Sequence, residues 1–173
     1  MGRAIYSSFL IIDISSLCVS ALKKLYSLSF FNYKKMSAEK INSSKAPEPV
    51  GLYPHARRVG NLLFLSGVGP RERGQKKIPG VELDEQGKII SYDIEAQCHS
   101  VFRNIKYILE DAGSSWDKIV DVTVFLTNMK DDFKTYNRIY ADYFKDNLPC
   151  RTTVEINCLP TPIAIELKVI ATI

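Results

Sequence analysis

Two residues near the C-terminus carry groups suited to chemistry on a small acid. Arg151 follows Pro149-Cys150 and opens the β-branched run Arg151–Ile156. A guanidinium at the start of a half-buried strand either pairs with a carboxylate of the protein or holds one on a ligand. Glu166 stands fifteen residues later, inside the otherwise apolar run around Ile163–Ile170. Burial there raises a carboxyl pKa, which suits proton transfer near neutral pH. The plainer alternative is a surface row in which Glu166 meets Lys168 on its own strand, or Glu155 across a turn centred on Pro160-Thr161. Ser66-Gly67 ends the run Leu62–Leu65. On residue type alone Ser66 reads as a polar strand terminus, and Gly67 lets a ligand approach the backbone closely. Tyr53 and His55 precede the first strand, and a single His is more often satisfied or solvated than catalytic. Arg57, Arg58, Arg71 and Arg73 can gather round an anion or stay solvated in loop-rich sequence. No phosphate-loop, dinucleotide, zinc-protease or nucleophile-elbow motif occurs.

The elements that position these groups are readable. Ala56–Arg58 and Leu62–Leu65, separated by Val59-Gly60-Asn61, predict a hairpin. Residues 69–90 are polar and rich in breakers, a long loop with a short strand or two. Ile94, Cys98, Val101, Ile105, Ile108 and Ala112 recur at helical spacing, with Ser91 or Asp93 to cap the start and Gly113 to end it. Ile119–Leu126 alternates as a strand. Asp131 or Asp132 then opens a second helix with Phe133, Tyr136, Tyr140 and Tyr143 on one side, stopped by Pro149. Arg151–Ile156 and Ala164–Ile173 are the last strands. The order predicts an α+β domain, a mixed sheet of five or six strands with two helices on one face. Its other face stays apolar and calls for oligomerisation.

The 173 residues are 46% hydrophobic and 24% charged, which excludes a disordered, collagen-like or disulfide-scaffold protein. The net charge of +4 sits wholly in residues 1–35, which hold five basic residues and one acid, Asp13. The rest is electrically balanced, which argues against nucleic acid as a partner. The apolar stretch Ala4–Leu22 reads as a membrane span interrupted by Asp13, as a signal with Val19-Ser20-Ala21 as cleavage site, or as a segment outside the working protein. The last reading is preferred, with Met36 as the native start, residues 1–45 as leader and polar arm outside the fold, and 46–173 as the domain. Cys18, Cys98, Cys150 and Cys158 form no C-x-x-C pair, and free thiols in the cytoplasm are expected.

Taken in order, several segments resemble the RidA (YjgF) family of reactive-intermediate deaminases. They are Ala46-Pro47 with Gly51-Leu52-Tyr53, Gly60–Gly67, Val122–Leu126 with Phe133, Tyr136-Asn137 and Tyr140, and above all Pro149-Cys150-Arg151-Thr152-Thr153-Val154-Glu155 with Leu159-Pro160 and Ile165-Glu166. The resemblance spans residues 46–173. The Arg71–Ile90 insertion, together with Tyr53–Arg58, resembles the 2-aminomuconate deaminase branch. The resemblance implies a chorismate-mutase-like fold, a homotrimer whose sheets line a central barrel, and ligand clefts between subunits. It also implies hydrolysis of an enamine or imine to a keto acid and ammonia, in amino-acid catabolism, with no metal or organic cofactor. On it, Arg151 binds the substrate carboxylate and Glu166 positions water. Tyr53, Ser66, Gly67 and Thr153 line the cleft, Thr153 standing where many members carry Cys. A second carboxylate on a muconate-type substrate would fall to Arg71, Arg73 or His55. The expected partner is a small carboxylate-bearing enamine or imine, with neither nucleic acid nor membrane. Two alternatives are a non-catalytic regulator that binds small carboxylates at the same cleft, and an RNA-acting protein.

Overall fold

The computed structural model describes residues 38–173. Asp13, Cys18 and the Met36 start site lie outside the described residues. β1 (Glu39–Ile41), β2 (Ala56–Val59) and β3 (Leu62–Leu65) come first, followed by the short strands β4 (Val81–Leu83) and β5 (Ile89–Tyr92). The helix α1 (Ile94–Asp111), a single 3-10 turn (Trp116–Lys118) and β6 (Ile119–Leu126) follow. The helix α2 (Met129–Phe144) and the strands β7 (Cys150–Glu155) and β8 (Ile165–Thr172) complete the chain.

Local sequence explains most of these boundaries. The β2–β3 hairpin turns at Gly60-Asn61, where Gly60 takes φ +61°, a conformation open to glycine without a Cβ penalty. The Asp93 carboxylate accepts from the Glu95 and Ala96 amides and so caps α1. The second helix starts earlier than its acidic pair suggested. Asn128, not Asp131 or Asp132, is the N-cap, and its side chain accepts from the Asp131 amide. Asp131 and Asp132 instead lie in the first turn, where acids complement the helix dipole. The face this helix buries comprises Asp132, Tyr136, Ile139, Tyr140 and Phe144, while Phe133 and Tyr143 remain partly exposed.

Six strands form one sheet in the order β1-β2-β3-β8-β6-β7. All pairs are antiparallel except β6 with β7. Alternation along β6 and β8 sends Val122, Val124, Leu126, Ile165, Leu167, Val169 and Ala171 into one core with Cys98, Val101, Phe102, Ile105 and Ile108 of α1 and with Tyr136, Ile139 and Phe144 of α2. Asp121, Thr123, Phe125, Glu166, Lys168 and Ile170 consequently share the opposite face, which no helix of the described residues covers.

Three expectations are corrected. The polar arm assigned to residues before 46 is part of the fold: β1 pairs with β2, and Ser43 is buried. The Ser43 hydroxyl and Ser44 amide both donate to Asp111 at the end of α1. Glu155 and Glu166 are not neighbours, because β6 runs between β7 and β8 and pairs Leu126 with Glu155 but Phe125 with Glu166. Finally, β7 is an exposed edge strand rather than a half-buried one.

Candidate active site

A cleft of about 530 Å³ opens on the uncovered sheet face, lined among others by Tyr53, Ser66, Gly67, Arg71 and Glu166. Glu166 arrives there because the pleat of β8 turns it away from the core that takes Ile165 and Leu167. It is half-buried, and among the described residues its carboxylate has no hydrogen bond or ion pair. Burial pushes its pKa above the usual glutamate value, and the Arg71 guanidinium acts the other way without offsetting it. The surface row with Lys168 does not form as a salt bridge.

Gly67 is explained by this carboxylate. A Cβ at position 67 would overlap Glu166 Oε1. The absence of a side chain, rather than a special φ, is what lets the carboxyl lie against the backbone. Ser66 lies beside it, with its amide donating to His55 O and its hydroxyl donating to Pro54 O at 2.7 Å. The Ser66 proton is therefore committed, while oxygen lone pairs remain to accept a bond from water or ligand. Tyr53 is exposed on the rim, its hydroxyl accepting from the Val50 amide.

The polar atoms of His55 and Arg73 are engaged by the protein itself. His55 is 6% exposed. Its Nδ1 accepts from the Ser43 amide, and its Nε2 lies 2.9 Å from Pro47 O. An amide can only donate and a carbonyl only accept, so the ring is held as the Nε2–H tautomer with both nitrogens used. Arg73 donates to Ala46 O and Ser43 O and pairs with the Glu48 carboxylate. These two side chains pin the arm and are removed from the list of carboxylate receivers. Arg71 differs: one guanidinium N–H donates to Glu48 O, and the group still lines the cleft.

Arg151 lies elsewhere. Its register partner is Val122, a core residue of β6, so Arg151 and Thr153 share the helix side of the sheet while Glu166 is on the other. One chain thus holds the two groups on opposite faces. The Arg151 guanidinium is exposed at the β7 edge, donates to Asn137 Oδ1 at 2.9 Å and stacks 4.6 Å from the Tyr140 ring centroid. No carboxylate of the described residues pairs with it, which removes the salt-bridge alternative. The Thr153 and Tyr136 hydroxyls are buried without hydrogen-bond partners among the described residues, and burial also pushes the Tyr136 pKa up, so that phenol stays a donor. The sequence reading missed Asn137, Tyr136 and Tyr140 as the support of Arg151. Their positions on α2, at i, i−1 and i+3, carried the signal, because such spacing puts them around one side of a helix. Among the described residues no cluster of His, Cys, Asp or Glu is arranged to hold a metal ion.

Residues 43–173 match the family described as Endoribonuclease L-PSP. A RutC family protein of Pyrococcus abyssi is 39% identical over 136 residues, covering 79% of this chain and 98% of its own. A protein of Arabidopsis thaliana named Reactive Intermediate Deaminase A, chloroplastic, is 37% identical and aligned over 78% of this chain and 66% of its own. The crystal structure of the E. coli YjgF gene product superposes with a TM-score of 0.66 at 30% identity, covering 78% of this chain and 98% of that one. The chain belongs to this family, the RidA/YjgF proteins, and has its α+β fold.

Proposed function

We propose that this protein hydrolyses enamine and imine intermediates to a keto acid and ammonia. The observation that carries the reading is Glu166, a half-buried carboxylate with a raised pKa, no protein partner among the described residues, and a cleft in front of it. Structural carboxylates of similar burial are normally paired or hydrogen-bonded. The Arabidopsis relative, a Reactive Intermediate Deaminase A, supports the same reaction class.

The chemistry asks little of the protein. An enamine takes up a proton on carbon to become an imine, whose carbon is already electrophilic. Water adds to that carbon, giving a carbinolamine, and the C–N bond then breaks as the nitrogen leaves as ammonia and the carbonyl forms. Glu166 accepts the proton of the attacking water and returns it to the departing nitrogen. A raised pKa favours both halves of this shuttle, since the group must be base and then acid at one pH. Arg151 binds the α-carboxylate by two parallel N–H bonds and fixes the imine carbon relative to the water.

Because Arg151 and Glu166 occupy opposite faces of their sheet, the reading requires Arg151 to be supplied by a neighbouring copy. A homotrimer with clefts between subunits meets this requirement. The exposed β7 edge and the apolar Leu62, Phe64 and Val154 on the uncovered face support such self-association. We take 2-aminomuconate as the preferred substrate and the reducing cytoplasm as the compartment, which the free thiols of Cys98, Cys150 and Cys158 support. No helix among the described residues is long and apolar enough to cross a membrane.

The test is a coupled ammonia-release assay with freshly generated 2-aminoacrylate and 2-aminomuconate. The wild-type chain is expected to accelerate release, and Glu166→Gln to lose the acceleration. Equal release by both proteins, or none by the wild type on either compound, contradicts the reading.

A further inference from the structure

The cleft holds more positive charge than one carboxylate group explains. Arg57, Arg71 and Lys168 all line it, against Glu166 as its single acid. Arg71 spends one N–H on Glu48 O and keeps four. Arg57 and Lys168 make no hydrogen bond or ion pair within the described residues. The strand register puts them on the same uncovered face as Glu166. Arg57 pairs with Phe64, Phe64 with Ile170, and Lys168 is one pleat repeat from both Ile170 and Glu166. Two residues along a strand span about 6.7 Å, so Lys168 stands one short carbon chain away from the reacting carboxyl. Arg71 is the cation that acts on Glu166. Arg57 and Lys168 lie farther along the same cleft wall, on β2 and β8, and an anion bound beside them would meet two cations with no acid of the described residues paired to either.

We infer that Arg57 and Lys168, with Arg71 at the Glu166 end, form a second anion subsite that takes the distal carboxylate of a dicarboxylic enamine or imine. The inference rests on the deaminase reading above and deepens it, since Arg151 is already committed there to the α-carboxylate. A substrate with one carboxylate would leave the two cations without a counter-charge, so the subsite selects for dicarboxylic over monocarboxylic compounds. It also replaces His55 and Arg73, whose polar atoms are spent on the arm, as receivers of the second acid group.

The experiment compares the full-length chain with Arg57→Gln, Lys168→Met and the double variant. Ammonia release is measured on 2-aminomuconate and on 2-aminoacrylate, and the readout is the ratio of the two kcat/KM values. In parallel, calorimetry measures binding of adipate and hexanoate, a stable dicarboxylate and its monocarboxylate counterpart. Light scattering reports the assembly state. The expected result is a fall in the ratio of about tenfold or more in the double variant, mostly through KM for the dicarboxylate, with the preference for adipate over hexanoate lost. An unchanged ratio and an unchanged adipate preference overturn the inference, as does a wild-type protein that binds the two acids alike. If the two cations instead hold an acid of a neighbouring copy, the double variant changes its assembly state while the ratio stays constant, and that too overturns it. Failure of the deaminase reading shows up separately, as absence of release on both enamines.

Discussion

Two arginines of this chain, Arg73 and Arg151, show how a structural cation differs from one held ready for a ligand. Arg73 spreads its N–H groups over two backbone carbonyls and the Glu48 carboxylate. Arg151 has one amide oxygen and an aromatic face as its partners, and no acid. The same contrast separates His55, with both ring nitrogens bonded, from Glu166, with neither oxygen bonded to the described residues. Groups of the first kind hold the arm Glu39–Ala46 against the end of α1 and the β2 strand. Of the second kind, Glu166 borders the cleft and Arg151 is exposed at the β7 edge. For half-buried Glu166 an unpaired charge is costly, and a ligand or water can supply the missing partner; exposed Arg151 carries no such cost and is simply free to bind.

Substitutions can break or sharpen this contrast. The largest effects belong to the unpaired groups: Arg151→Ala and Glu166→Gln should each lower enamine hydrolysis by about 100-fold or more while leaving far-UV circular dichroism and assembly intact. His55→Ala should act in the opposite sense, on stability first. It strands the Ser43 amide and the Pro47 carbonyl, and chemical denaturation should show a loss of about 2 kcal/mol. The Gly67→Ala change sits between the two classes. Its Cβ meets the flexible end of Glu166 rather than backbone, so the fold should survive, while displacement of the carboxyl should cost roughly tenfold in kcat. The smallest effect is the pH dependence of stability. Glu166 has a raised pKa in the folded chain, so the native state binds its proton more tightly than the unfolded chain does, and stability falls as pH rises from the ordinary glutamate pKa through the folded one. Glu166→Gln removes that loss, and thermal melts should show the variant gaining ~2 °C over the wild type above that window and nothing below it.

The sequence carried the architecture well where one physical signal dominated. Helical spacing from Ile94 to Ile108 and alternation in Ile119–Leu126 both report burial, and burial is what made those elements. The β1 arm was not legible, because three residues of mixed polarity in Glu39–Ile41 have no periodicity; what orders the arm is distant, namely pairing with β2 and, at Ser43, the His55 ring and the Asp111 carboxylate. The start of α2 was misplaced because Asn128 competes for the cap with two acids that suit the first turn equally well. For the site, the unusual setting of Glu166 in an apolar strand was visible, since the pleat that buries Ile165 and Leu167 must turn Glu166 outward. That β6 separates β7 from β8, leaving Arg151 and Glu166 on opposite faces, is a matter of strand order, which residue types along a single chain do not specify. Nor did residue type tell Arg57 and Arg71 from Arg73, because the difference lies in which carbonyls each meets.

The central claim is that one working site takes Arg151 from one copy and Glu166 from another. Mixing tests it directly: Arg151→Ala and Glu166→Gln chains, each inactive alone, are unfolded together in equal amounts, refolded and assayed for ammonia release. If sites are shared between copies, the mixture recovers about a quarter of the wild-type rate, the chance that two adjoining chains each supply an intact residue. If the mixture stays as inactive as its components while light scattering shows that mixed assemblies formed, Arg151 and Glu166 do not serve a common site across the interface, and the account is wrong.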